Sequence, residues 1–258
     1  MEGFVVSYEP LTLLGLVLAG FLAAFIDSTV GGGGLISTPY LLAMGLPVPY
    51  ALGTNKVASS MGAAMSVFSF WRAGKISAIA WKICLFSFLG SALGAYVVYL
   101  LPAKLMKNII VVLLVAVAVY TYRRKDWGDN PTLKEITGKV YAQAVLLALV
   151  MGFYDGFFGP GTGSFLIFGF LFLGFDFVTA AGNAKVLNFM SGLGGIFSFA
   201  MSGTVVWSYG IIMGIAMLCG AFCGARLAIK KGAAYVRPLY LLVTTLLIGK
   251  QVYEILFK

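Results

Sequence analysis

The stretch FIDSTVGGGGLISTP, from Phe25 to Pro39, places one aspartate ahead of four consecutive glycines inside otherwise apolar sequence. A second stretch of the same character, FYDGFFGPGTGSF, runs from Phe153 to Phe165. Glycine-rich backbone of this kind interrupts a helix, and a bilayer tolerates such backbone only where protein buries it or where it lines a cavity. The duplicated break therefore predicts two halves of one site within a membrane protein.

The sequence around the breaks is typical of an all-α integral membrane protein. Hydrophobic residues make up 60% of the 258 residues and charged residues only 10%. Eight apolar runs approach the roughly 20 residues that a spanning helix needs, and they cover residues 11–26, 51–71, 78–101, 106–122, 141–154, 178–202, 208–229 and 235–257. Two shorter runs, 35–46 and 164–174, predict half-helices or re-entrant segments. The N-terminus has no basic residue after Met1, so we expect the first run to be a retained helix and not a secretory signal.

An internal duplication relates the two breaks. Phe25, Asp27, Gly31 and Gly33 match residues 128 positions later, the segment 53–74 matches 182–203, and the segment 90–95 matches 220–225. Such a match along a chain is the signature of a repeat. We therefore divide the protein into a first transmembrane repeat (1–122), a polar cytoplasmic linker (123–140) and a second transmembrane repeat (141–258), each repeat with about four long helices and one short or broken segment.

The distribution of basic residues favours opposite orientations of the two repeats. The loop 72–82 is basic while its counterpart 201–206 is uncharged, whereas the loop 226–237 is basic and its counterpart holds only Lys104 and Lys107. Cytoplasmic loops collect lysine and arginine. If each repeat crosses the membrane five times, both basic loops face the cytoplasm and both termini lie outside, as inverted repeats require. If the short runs only re-enter, the 226–237 loop would lie outside and break the rule.

Two lysines occupy matched positions in apolar helices and are the first candidates for substrate contacts. Lys56 and Lys185 each begin a stripe of small or polar residues, continued by Ser59 in the first repeat and by Asn188 in the second. A charge inside a membrane helix is costly and usually faces a cavity or a partner. The functional interpretation is a pair of cationic contacts for an anion, and the alternative is that each lysine snorkels to the headgroups.

Backbone donors at the breaks could hold the same anion. Exposed N–H groups at the start of a half-helix, with the positive end of its dipole, form an anion site. The candidates are Gly32, Gly33 and Gly34 in the first break, Gly161, Thr162 and Gly163 in the second, and Thr54, Asn55 and Asn183 at the neighbouring helix starts. The alternative role of the glycines is close helix packing.

Asp27 and Asp155 stand at matched positions just before the breaks. A carboxylate in a low-dielectric site could take up a proton and couple its movement to that of the substrate. The alternative is that each aspartate caps the following segment or pairs with a lysine. A coupled cation in place of the proton stays open.

The two breaks, followed by GTNKVASS from Gly53 and GNAKVLNF from Gly182, resemble the sulfite exporter TauE/SafE family of membrane transporters. The resemblance covers almost the whole chain. It implies transport of small anions containing sulfur, such as sulfite, sulfoacetate or other organosulfonates, or of small carboxylates, across a bacterial inner membrane. The second copy departs from the first, with Pro160 and Thr162 opposite Gly32 and Gly34, so we expect two unequal half-sites.

These features together predict a secondary transporter of small anions that works by alternating access. A passive anion channel is the nearest alternative, and a membrane-embedded enzyme or accessory subunit is weaker, because the sequence holds no histidine. We expect membrane lipids and the substrate as partners. We expect no nucleic acid, because cytoplasmic loops against anionic lipid explain the formal charge of +9. We also expect no metal and no cofactor. The pattern leaves the oligomeric state open.

Overall fold

The computed structural model describes residues 9–102, 133 and 135–231. Within these residues the chain forms eight helices and no strand. The helices are α1 (Pro10–Val30), α2 (Gly34–Ala43), α3 (Val48–Arg72), α4 (Ala78–Leu100), α5 (Gly138–Phe157), α6 (Thr162–Phe172), α7 (Phe177–Met201) and α8 (Trp207–Lys231). The all-α prediction is confirmed for this part of the chain. The expected spans 106–122 and 235–257, and most of the 123–140 linker, lie outside the described residues.

Among the described residues, five helices are long and apolar enough to cross a membrane, namely α1, α4, α5, α7 and α8. The short apolar helices α2 and α6, of 10 and 11 residues, correspond to the two short runs of the sequence. Helix α3 has 25 residues, as many as α7, but it is more polar and is not among the five. The protein is therefore a multi-pass membrane protein whose α3 carries its polar residues into the interior of the helix bundle.

Two helix starts lie three residues before the sequence-based bounds, whereas the other described starts lie within two residues of theirs. Helix α3 begins at Val48, three residues before the predicted start, directly after Pro47 and with a second proline at Pro49. Proline fixes φ near its helical value and is favoured in a first turn. Helix α5 begins at Gly138 inside the predicted linker, because the Thr137 side chain caps it by accepting a hydrogen bond from the Val140 N–H.

Helix α4, the last of the group α1–α4, packs against α5. Helix α8, the last of the group α5–α8, packs against α1. A Cβ added to Gly90 or Gly94 on α4 would collide with carbonyl oxygens of α5, and Gly94 meets that of Phe153. On α8, Gly220 and Gly224 approach the α1 backbone in the same way. Small residues allow helices in a membrane to approach closely. The groups α1–α4 and α5–α8 are the two halves of the described structure. They contact each other along two lines of closely packed glycines, the glycine seams, one between α4 and α5 and the other between α8 and α1.

Helices α3 and α7 pair at the centre in antiparallel directions. Gly192 of α7 lies against Ser60 of α3, and Gly195, one turn later, lies against the side chain of Lys56, which precedes Ser60 in the chain. Later residues of α7 thus contact earlier residues of α3, so the two helices run in opposite directions. These two helices carry the matched lysines, so their antiparallel pairing brings both lysines into the middle of the molecule.

A short turn links α6 to α7 and ends in a capped helix start. The Asp176 carboxylate accepts hydrogen bonds from the backbone N–H groups of Val178 and Thr179, both at 3.1 Å. Burial opposes ionisation of this carboxyl group, but hydrogen bonds from Thr179 and the nearby charge of Lys75 outweigh burial and hold the pKa of Asp176 below its usual value. Asp176 and the α3–α4 turn therefore lie at the same end of the bundle.

Candidate functional site

The two glycine-rich breaks contact each other at the centre of the protein. A Cβ on Gly31 would collide with the backbone of Gly163 and Ser164, and one on Gly34 would lie 3.1 Å from the Cα of Pro160. The Ser164 hydroxyl donates a hydrogen bond to the Val30 carbonyl oxygen at 3.1 Å. The sequence interpretation of two breaks that converge thus matches their placement in the structure.

Positive φ angles show why glycine occupies these breaks. Gly31 and Gly32 adopt φ of 79° and 91°, and Gly159 and Gly161 adopt 92° and 88°. Residues with a Cβ rarely adopt this conformation. The backbone can therefore leave α1 and α5 and restart as α2 and α6 within three or four residues.

A cavity of about 40 Å³ lies beside the breaks. This volume holds about three water molecules, comparable to one small oxyanion. Glycine backbone and polar side chains from both halves line it: Asp27, Ser28, Gly32, Gly33, Gly34, Ser37, Asn55, Lys56, Ser59, Asp155, Gly159, Gly161, Thr162, Gly163 and Asn188. The cavity therefore combines both breaks with residues of α3 and α7.

The lysines and aspartates form two ion pairs, each of which joins the two halves. The Lys56 Nζ lies 2.7 Å from Asp155 Oδ2, and the Lys185 Nζ lies 2.6 Å from Asp27 Oδ2. Each lysine thus bonds the aspartate of the other half. The bonded lysines do not reach headgroups as snorkelling would require, since the Lys56 and Lys185 side chains are 4% and 0% exposed.

The two pairs are unequal. The Asp155 side chain is 6% exposed, and its Oδ2 also accepts a hydrogen bond from the Ser191 hydroxyl at 2.6 Å. The Asp27 side chain is 21% exposed, and its second contact is a longer bond of 3.3 Å from the Gly33 N–H to Oδ1. The repeat position that matches Ser191 is Gly62, which has no hydroxyl. The inequality is therefore encoded in the sequence.

Helix N-termini provide the remaining donors. Helices α2 and α6 begin at Gly34 and Thr162, both of which line the cavity. The first N–H groups of a helix have no partner within the helix, and its dipole makes that end positive. Some of these N–H groups are already bonded, since the Thr162 N–H donates to the Gly159 carbonyl oxygen at 3.1 Å and the Gly33 N–H to Asp27 Oδ1 at 3.3 Å. The Asn55 Oδ1 atom, a hydrogen-bond acceptor, is buried here without a partner. The cavity therefore lies at the positive ends of two helix dipoles.

Two of the proposed substrate contacts serve the packing of the halves and do not line the cavity. The Thr54 hydroxyl accepts a hydrogen bond from the Val206 N–H at 3.0 Å. At the matched position, Asn183 Oδ1 accepts bonds from the N–H and hydroxyl of Ser77, at 2.8 and 2.9 Å. Both residues therefore tie a central helix to a turn of the other half. Lys185 also lies outside the lining, behind Asp27.

Sequence analysis missed three polar residues of the site. Ser28 and Ser37 line the cavity, and Ser191 bonds Asp155. The helical spacing of Ser191, three residues after Asn188, could have indicated it. Serine is common in membrane helices for packing, so the signal from spacing alone is weak.

The charges of the site sum to zero. Lys56 and Lys185 are each paired with one aspartate, so an anion would gain contacts from the N–H groups or by displacing a carboxylate. Within the described residues no group of three or more histidine, cysteine, aspartate or glutamate side chains could hold a metal ion. The arrangement is suited to reversible binding of a small ion.

Comparison with known proteins agrees with this chemistry. The model of the family described as sulfite exporter TauE/SafE matches residues 16–250. The chain is 38% identical to the probable membrane transporter protein ORF9 of a Sinorhizobium species, over 89% of this chain and 88% of that protein. It is 36% identical to a probable membrane transporter protein of Haemophilus influenzae, over 93% and 94% of the two chains. The probable membrane transporter protein YfcA of Escherichia coli strain K12 is 34% identical, over 97% and 93%. No solved structure matches the chain.

Proposed function

Because the chain belongs to the sulfite exporter TauE/SafE family of membrane transporters, we propose that its central cavity binds a small anion and carries it across the bacterial inner membrane. The proposed cargo is an anion containing sulfur, such as sulfite or an organosulfonate, or a small carboxylate. The observation that carries the proposal is the cavity itself, which is lined by two helix N-termini and by Lys56, with Lys185 behind Asp27. A site of about 40 Å³ suits an anion of a few atoms.

We further propose that the halves are inverted repeats and that transport proceeds by alternating access. The antiparallel pairing of α3 with α7 and the matched contacts of Thr54 and Asn183 support this arrangement. In transporters of this type, broken helices at the midplane hold the substrate while one repeat rocks against the other. The ion pairs between the halves would then change as the halves move.

A thermal-shift panel tests the cargo class. Purified protein is mixed with sulfite, sulfoacetate, methanesulfonate or acetate, and a ligand that binds only the folded state raises the apparent melting temperature. We expect sulfite or a sulfonate to raise it and chloride at equal ionic strength to leave it unchanged. No shift with any of the four anions would contradict the proposed cargo.

Flux through proteoliposomes tests the site. We expect Lys56→Ala and Lys185→Ala to lower the flux of the shifting anion at least tenfold per reconstituted molecule, since one missing charge contact costs about 1.4 kcal/mol or more. Lys82→Ala is the matched control, because Lys82 is an exposed lysine of α4 outside the cavity. Equal flux by all three variants would refute the assignment, and large unitary currents would indicate a channel instead.

A further inference from the structure

The Lys185 ammonium requires a negative partner at all times. Its side chain is 0% exposed, and its Nζ lies 2.6 Å from Asp27 Oδ2. A buried ammonium that loses its partner is strongly destabilised, because low dielectric leaves the charge uncompensated. In any state of the protein in which the Asp27 carboxylate is absent or neutral, the ammonium must therefore either bind another anion or lose its proton.

Asp27 lies between this ammonium and the cavity. Asp27 and Gly163 both line the cavity, whereas Lys185 does not. A Cβ added to Gly163 would lie 3.4 Å from the Lys185 Nζ and 3.1 Å from Asp27 Oδ1. Because Gly163 has no side chain, an anion in the cavity could reach the ammonium once the carboxylate no longer occupies it.

Asp27 is also better placed than Asp155 to receive a proton. The Asp27 side chain is 21% exposed and the Asp155 side chain 6%. The Asp155 carboxylate accepts a hydrogen bond from Ser191 in addition to its contact with Lys56. The corresponding second contact of Asp27 is the 3.3 Å bond from the Gly33 N–H. Replacing the lysine ammonium by a proton therefore breaks fewer short contacts at Asp27 than at Asp155.

Few other groups could set the pH response of Asp27. From α7 it faces Lys185, and across the cavity it faces Lys56 of α3 and Asp155 of α5. The parts of α2, α6 and α8 that line the cavity bring glycine backbone, Ser37, Thr162 and Met217, none of which titrates near neutral pH. The sequence contains no histidine.

We propose that Asp27 is the proton-binding residue of the transport cycle, and that its protonation releases the Lys185 ammonium to bind the substrate anion in place of the carboxylate. The inference rests on the proposed function and names its coupled ion. With Asp27 ionised, an added anion would compete with the carboxylate for one ammonium. With Asp27 neutral, an empty site would leave that ammonium unpaired. One proton and one negative charge therefore enter the site together, and Asp155 with Lys56 stays bonded.

Binding measured across pH tests the coupling. The probes are methanesulfonate and sulfate, which stay fully ionised from mildly acidic to mildly basic pH, so that any pH dependence belongs to the protein. For the wild-type full-length chain in detergent we expect the dissociation constant of methanesulfonate to rise about tenfold per pH unit on the basic side, as linkage of one proton to one anion requires. We expect Asp27→Asn, a permanently neutral side chain, to bind at all these pH values with the affinity of the wild-type protein at acidic pH.

Two further variants separate the coupling from folding and from the other pair. Asp27→Asn with Lys185→Gln removes both charges, so it should fold as well as Asp27→Asn or better and bind neither probe. Asp155→Asn is the comparison variant, because it would remove the pH slope if Asp155 were the proton-binding carboxylate. The coupling is overturned if Asp27→Asn retains that slope, or if Asp155→Asn is the variant that abolishes it. If the wild-type protein binds neither probe at any pH, the coupling as stated is overturned, whereas the cargo class is decided separately by the thermal-shift panel with sulfite, sulfoacetate and acetate.

Discussion

Lys56 is a buried charged residue that is stabilised by an oppositely charged partner. Its ammonium lies within a helix bundle with a side chain that is 4% exposed, and the Asp155 carboxylate at 2.7 Å balances its charge. Breaking a buried pair from one side costs about 3 to 5 kcal/mol, because the remaining charge stays buried. Removing both charges costs much less, since no unpaired ion is left.

A double-mutant cycle on this pair follows from that difference. We expect Lys56→Met to destabilise the protein by about 3 to 5 kcal/mol and Lys56→Met with Asp155→Asn to recover a large part of the loss. The measurement is the apparent melting temperature in detergent, with Lys82→Met as the exposed control. Strictly additive effects of the two substitutions would show that the side chains do not interact.

The residues of the site were predicted from the sequence better than their partners. An aspartate before a glycine-rich break and a lysine within an apolar helix are both local signals, so Asp27, Lys56 and their repeat mates could be found. Each lysine pairs with the aspartate of the other half. This pairing depends on how α3 and α7 cross, which cannot be predicted from the local sequence. For the same reason the local sequence does not indicate that Thr54 bonds the turn at Val206.

At the scale of elements, the glycine seams between α4 and α5 and between α1 and α8 set the distance between helices. No side chain separates the backbones at Gly94 and Phe153, or at Gly224 and Phe25. In lipid there is no hydrophobic drive between helices, so this close packing supplies much of the attraction. A single methyl group on the seam must push the helices apart.

A comparison of two glycine substitutions tests the seam. We expect Gly94→Ala to destabilise the protein by about 1 to 3 kcal/mol through overpacking against the Phe153 carbonyl oxygen. Gly138→Ala is the control, because a Cβ at Gly138 would meet nothing within 4 Å. Gly138 starts α5, so alanine there should be neutral or slightly stabilising. Equal thermal stability of the two variants would argue against close packing at the seam.

The whole molecule has opposite ends that the sequence distinguishes by charge. The α3–α4 turn follows Arg72 and precedes Lys82, whereas the matched α7–α8 turn is uncharged. The antiparallel pairing of α3 and α7 places these two turns at opposite ends of the central helix pair. Under the positive-inside rule the first turn faces the cytoplasm and the second faces outward.

Cysteine labelling in intact cells measures this orientation. With Cys84, Cys219 and Cys223 replaced by serine, single cysteines are introduced as Ala73→Cys and Met201→Cys, both at exposed positions at helix ends. We expect a membrane-impermeant maleimide to label Met201→Cys in intact spheroplasts and Ala73→Cys only after permeabilisation. Labelling of both from the same side would contradict the inverted arrangement.

The positions of the described helices could be predicted from the sequence better than the way in which the helices pack. Long apolar runs specified most helices, and the two short runs became α2 and α6, because span length and hydropathy are properties of each segment alone. Helix starts shifted where Pro47 and Thr137 act on the first turn. The packing of α4 on α5 and of α8 on α1 was not foreseen, since glycine spacing marks a contact face without naming the helix that fills it.

The α1–α8 seam has a consequence for how the nascent chain is assembled. Synthesis proceeds from the N-terminus, so α1 enters the bilayer long before the ribosome reaches Gly220 and Gly224, whose close approach it needs. In contrast, α4 and α5 are neighbours in chain order and can pack early. The glycine-contacting surface of α1 therefore stays unpaired until α8 has been synthesised, and a chain that ends before α8 leaves this surface without its partner helix.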